Sequence, residues 1–160
     1  MVGSAERQRL PLRGLVHDGE LGDEEDRGVI LIHRILARIR QKAKQLADYC
    51  DPVVLGISIP RADLQGERTN RHDEIRLDLK ALAGSATLLL TKLSHLSAVT
   101  ISLWDVEPLP SKAGTRLANV ELVERTKHQR IHPRVRLLIQ NSAASAPLTE
   151  RQEDALRQVL

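Results

Sequence analysis

Residues 29–59 read VILIHRILARIRQKAKQLADYCDPVVLGISI, and the fold turns on this stretch. In its first half, Ile32, Ile35, Leu36, Ile39, Ala43, Leu46 and Ala47 recur at spacings of three and four, one side of a 3.6-residue period. That spacing predicts a long amphipathic helix. The helix must stop before Pro52, whose ring disfavours the α conformation at Asp51. Val53 to Ile59 follows as a short, nearly all-apolar run between Pro52 and Pro60, the pattern of a strand covered on both faces. A helix feeding a buried strand implies an α/β layer.

Upstream, Asp18, Glu20, Asp23, Glu24, Glu25 and Asp26 form an acidic stretch, after which every charge is basic until Asp48. Residues 1–27 show no sustained hydrophobic period and read as an irregular lead-in, with a single α/β domain over 28–160. Asp23 or Asp26 is the expected helix N-cap, where acids complement the positive helix end. Downstream, 61–74 is polar and loop-like. Glu74 to Leu82 fits a strand by the alternation of Ile75, Leu77 and Leu79, and a helix by Ile75, Leu79 and Leu82. The Ala-rich continuation to Gly84 favours the helix. Leu88 to Leu96 is apolar without a decisive period. Strands are expected at Ala98–Trp104, Asn119–Glu124 and Val135–Gln140, and the capping box Thr149–Gln152 opens a C-terminal helix to Leu160. The fold class is α/β: a long amphipathic helix on a small mixed sheet, a C-terminal helix and an irregular N-terminal lead-in.

At 160 residues the chain suits one domain that needs no disulfide or metal staple. It has no Phe, one Trp and one Tyr, so aliphatic side chains must carry the core. A lone cysteine, Cys50, excludes an internal disulfide framework and a CxxC zinc site. The start, Met1 to Leu10, lacks the apolar run of a signal peptide, and no apolar run approaches the 18 positions of a membrane span. The expectation is a cytoplasmic protein without a membrane partner.

Three segments, in order, resemble blocks of an uncharacterised family of bacterial conserved proteins. The first pairs Ile39-Arg40-Gln41-Lys42-Ala43-Lys44 with the Pro-led strand Asp51-Pro52-Val53-Val54-Leu55-Gly56-Ile57. The second is Leu96-Ser97-Ala98-Val99, and the third Asn141-Ser142-Ala143-Ala144-Ser145-Ala146-Pro147-Leu148. The match runs over roughly residues 36–148, its motifs are short, and Ser142 stands where the family has Pro. The resemblance implies the C-terminal part of a longer protein with a restriction-endonuclease-like fold, whose acidic catalytic strand would lie upstream of residue 1.

A metal-dependent nuclease is therefore the only enzyme class with a candidate. Such a site needs paired carboxylates on Mg²⁺ and a Lys near the attacking water. Asp78-Leu79-Lys80 supplies a D-x-K element with Asp63 or Asp73 as partner, provided that Glu74–Lys80 is a strand. About one such triplet is expected by chance in a chain this charged. His128 and His132 have helical spacing for a metal, but Pro133 and the lack of a third ligand favour a basic loop. Cys50 has no His partner in sequence and reads as a buried or capping residue. No G-x-S-x-G, Walker A or G-x-G-x-x-G is present. No catalytic residue, metal site or cofactor is assigned.

Two basic segments carry more. Arg34, Arg38, Arg40, Lys42 and Lys44 lie on the arc of the long helix away from its apolar stripe, and Arg125, Lys127, Arg130, Arg134 and Arg136 form a second cluster without an acid. The planar guanidinium fork suits phosphate, and two such clusters can follow a polyanion. The scarcity of aromatics argues against stacking on single-stranded bases. The leading expectation is a module contacting the nucleic-acid phosphate backbone without a complete active site. The alternative is a non-catalytic interaction or oligomerisation domain, whose partner is an upstream-encoded protein or a second copy.

Overall fold

The computed structural model describes residues 24–59, 75–104, 106–109, 120–124 and 132–159. Helix α1 spans Glu24–Gln45, β1 Val54–Ile59, β2 Ile75–Leu77, α2 Leu79–Leu90, β3 Ala98–Leu103, β4 Val106–Pro108, β5 Val120–Glu124, β6 Val135–Gln140 and α3 Glu150–Val159. The mixed sheet has the order β1-β3-β6-β5, and a small second sheet pairs β2 with β4. β1 and β3 are parallel, as a crossover through α2 requires, whereas β3–β6 and β5–β6 are antiparallel. The α/β class and its long amphipathic helix on a small mixed sheet are as the sequence implies.

The core lies between α1, α2 and one face of the sheet. Leu55, Ile57 and Ile59 of β1, Val99, Ile101 and Leu103 of β3, and Val135, Leu137 and Ile139 of β6 alternate onto this inner face. Against them sit Leu31, Ile32, Ile35, Leu36, Ile39 and Ala43 of α1 and Leu82, Ala86, Leu89 and Leu90 of α2. Burying each large aliphatic side chain contributes about 1.5–3 kcal/mol. Leu31 joins the stripe read from sequence, while Ala47 is exposed beyond the helix end.

Three expectations change. β1 is not covered on both faces: it is an edge strand of the four-stranded sheet, and its outward residues Gly56 and Ser58 are exposed. Glu74–Leu82 is not one element. Ile75–Leu77 pairs with β4, and Asp78 then starts α2, its carboxylate accepting the Ala81 N–H at 2.9 Å. The third change is at the lead-in, whose boundary at 27 falls inside α1. The helix begins at Glu24, so Asp26 is helical and does not cap it; residues 1–23, including Asp23, lie outside the described residues.

Gly28 is buried inside α1, where an added Cβ would overlap the carbonyl oxygen of Arg76 in β2. Glycine is required there for backbone approach, and α1 packs on the small sheet through it. Gly84 in α2 differs, since a Cβ there would meet nothing within 4 Å.

Two Gly-to-Ala changes are thus expected to act in opposite directions. Gly28→Ala destabilises by about 2 kcal/mol because a backbone oxygen cannot swing aside, whereas Gly84→Ala stabilises by up to about 1 kcal/mol through helix propensity. Urea unfolding of both variants checks this; a neutral or stabilising Gly28→Ala would refute the close-approach account.

Candidate nucleic-acid interface

Every charged side chain on α1 from Arg27 to Lys44 is basic. Because Ile32, Ile35, Leu36, Ile39 and Ala43 are held against the sheet, the remaining arc is turned outward. Arg38, Arg40, Lys42 and Lys44 are exposed and Arg34 is half-buried. At 100° per residue these five form two rows. Arg34, Arg38 and Lys42 follow one border of the buried stripe, and Arg40 and Lys44 the other. Exposed Ala37 and Gln41 form an uncharged ridge between them. Lys42 and Lys44 also stand in the last turn, where cations complement the negative helix end. The Lys42 ammonium donates to the Gln45 side-chain oxygen at 3.2 Å.

The second cluster is divided. Arg125, Lys127 and Arg130 lie outside the described residues. Arg134 donates to the Val106 carbonyl at 2.8 Å, tying β6 to β4, and Arg136 donates to the Val159 carbonyl at 3.0 Å, a cation at the C-terminal end of α3. These two arginines do structural work that their spacing in sequence does not reveal.

Asp78 and Lys80 do not share a strand face, since Asp78 is an N-cap and Lys80 is in the first turn of α2. Asp63, Asp73 and His128 lie outside the described residues, and His132 is half-buried beside buried Pro133. No group of three or more His, Cys, Asp or Glu suited to a metal occurs among the described residues. Cys50 is exposed, not buried, because it follows the turn that leaves α1 before the chain enters β1.

The segments that carry the family resemblance meet in space. Ser97, just before β3, accepts from the Val53 N–H at 2.9 Å and donates to the Ala146 carbonyl at 2.6 Å. His95 Nε2 donates to the Ala43 carbonyl at the end of α1, 2.8 Å away. Asn141, buried at the end of β6, donates through Nδ2 to the carbonyls of Leu90, Leu93 and Leu96 at 2.9, 3.2 and 2.8 Å. Its Oδ1 accepts from the Ala143 N–H at 3.0 Å, and its own N–H reaches the Ser97 carbonyl. This junction ties the end of β6 to the last residue of α2 and to the turns that follow it, whose carbonyls at Leu90 and Leu93 also accept the N–H groups of Leu93 and Leu96. Sequence reasoning quoted these residues without finding their role, because the bonds join positions more than 40 apart.

A notch of about 150 Å³ beside the junction is lined by Ser97, Gln140, Asn141, Ser142, Leu148 and Glu153 among others. Its buried polar groups, Ser97 and Asn141, are already bonded within the chain.

No helix among the described residues is long and apolar enough to cross a membrane. No protein-family model, curated protein or solved structure matches the chain.

Asp78→Ala is expected to cost about 1 kcal/mol through loss of the cap, and neither it nor Lys80→Ala should alter any Mg²⁺-dependent cleavage of duplex DNA. Cleavage by the parent chain that both substitutions abolish would reinstate a metal site. Asn141→Ala should destabilise by about 2–3 kcal/mol by removing the buried bonds that tie the end of β6 to the turns after α2. Asn141→Asp, although isosteric, should be worse, since it replaces a donor by a charge facing three carbonyl oxygens. An Asp variant as stable as the parent in thermal unfolding would show that Nδ2 is not the anchoring group.

Proposed function

We propose that this protein is a basic α/β module that binds the phosphate backbone of duplex nucleic acid through the outward arc of α1, without an active site of its own. The observation that carries the reading is the acid-free helix, in which all charges from Arg27 to Lys44 have one sign and two basic rows border an uncharged ridge. An α-helix with its side chains is about 10–12 Å across, close to the width of the B-DNA major groove. A ridge of Ala37 and Gln41 lying in the groove would bring each row towards one of the bordering backbones. Phosphate contacts of this kind position a protein without reading sequence. Neither aromatic residue offers a stacking platform on α1, since Tyr49 and Trp104 lie outside the helix. The resemblance to the rear part of a nuclease-like protein agrees with a nucleic-acid partner.

A second reading, an interaction domain, is favoured by one feature. β1 has one strand neighbour among the described residues, and an edge strand is a template for pairing with another chain.

Fluorescence anisotropy with a labelled duplex across a salt series separates the two. Binding should be weak and without sequence preference, weakening steeply with salt at a slope of about −0.9 per phosphate contacted. Arg38→Gln/Lys42→Gln and Arg40→Gln/Lys44→Gln should each flatten the slope by up to about two units, and each should unfold within about 0.5 kcal/mol of the parent. Absence of binding at low salt, or a slope that neither variant changes, sinks the nucleic-acid reading. Self-association insensitive to these substitutions would then favour the β1 edge.

A further inference from the structure

α3 is attached to the sheet differently from α1 and α2. None of its residues is buried, whereas α1 and α2 each place six or more side chains in the core. The helix is self-sufficient at its start. Thr149 and Gln152 bond reciprocally, with the Thr149 N–H donating to Gln152 Oε1 at 2.9 Å and the Gln152 N–H to Thr149 Oγ1 at 3.4 Å. Acids in its first turn, Glu150 and Glu153, and Arg157 in its last turn match the helix dipole.

Its position follows from three contacts on the outer face of the sheet. Glu153 and Leu148 border the notch beside Gln140, at one end of the outer row of β6. The Val159 carbonyl accepts from Arg136 at the other end of that row. Arg157 reaches Glu121 of β5 at 2.7 Å, and Glu121 is the register partner of Leu138, midway along the row. These contacts place α3 along the outer row of Gln140, Leu138 and Arg136. Leu138 is 1% exposed although it points away from the main core cluster, so a cover is required on that side.

We infer that α3 is a strap that closes reversibly over Leu138, held by exposed ionic contacts and hinged at residues 147–149. The anchors on either side of the hinge support this. Ala146 is fixed by the Ser97 hydroxyl, and Ser145 by its N–H to the Ser94 carbonyl at 2.7 Å. Beyond Thr149, α3 meets the sheet through the Arg157–Glu121 pair and the Arg136 bond to Val159, both exposed. Ion pairs of this kind are weak and screened by salt. Arg157 also holds Asp154 and Glu153 on its own helix, at 3.1 and 3.3 Å, so those pairs stiffen the strap without attaching it.

Glu121→Gln isolates the attachment, because it removes the sheet-side partner and leaves the pairs internal to α3 in place. Amide hydrogen exchange on the full chain is the measurement, for parent and variant at low salt and in 0.5 M NaCl, the added salt being set at about 0.5 M to shorten the screening length below that of physiological buffer. Exchange in α3 should be faster than in β3 and β6 in the parent, and about two- to fivefold faster again in Glu121→Gln or at high salt. The β3 and β6 rates and the helical circular dichroism signal should stay unchanged. α3 amides as slow as those of β6 in every condition would overturn the strap, as would acceleration of α3, β3 and β6 together, which would mark a loss of global stability.

Discussion

A core without aromatic packing is the constraint on which this architecture depends. Of the two aromatic residues, Tyr49 is 61% exposed and Trp104 is half-buried, so the interior is aliphatic throughout. Aliphatic side chains bring less area per residue than aromatic rings, and the fold makes up the difference by close approach and by bonding at the ends of its elements. Gly28 lets α1 come against the carbonyl of Arg76. The Asn141 and Ser97 bonds draw the ends of α2, β6 and β1 onto a single point. Both devices fix the layers without interlocking rings.

Arginine serves two separate purposes on this frame, and sequence spacing does not distinguish them. Arg134, Arg136 and Arg157 join elements by bonding a strand carbonyl, a helix end and a strand carboxylate. The hydrogen bond to Glu121 holds the Arg157 guanidinium above its ordinary pKa. On α1 the basic residues instead follow from the helix geometry, which commits the opposite side to the core and leaves long cationic stems in solvent. The second set lies along one outward arc of α1.

Elements with strong local signals were legible in the sequence. α1, β6 and the capping box of α3 stand where period, β-branching and Thr149–Gln152 place them, to within a few residues. What failed did so where a long-range contact overrides the local pattern. Glu74–Leu82 reads as one element until β4 pairs with its first part. β1 looks covered on both faces by composition, yet Gly56 and Ser58 are the positions its alternation turns outward. Of the candidate site, the rows on α1 were readable because a helix period sorts side chains by angle. The bonds of Arg134 and Arg136 were not, because nothing local announces a partner 20 or more positions away.

The junction changes what the family resemblance can support. Ala43, Val53, Ser97, Asn141 and Ala146, one or more from each quoted segment, are hydrogen-bonded at a single place. A block whose residues close the fold speaks to architecture, since these bonds tie the end of α1, the entries to β1 and β3 and the end of β6 together. Chemistry has to be sought in residues the fold does not need. Within the quoted segments, Arg40, Gln41, Lys42 and Lys44 fit that description, exposed on α1 between Ile39 and Ala43, which the core claims. Fold and surface charge thus converge on the same turn of helix, where architecture fixes one side and leaves the other exposed and basic.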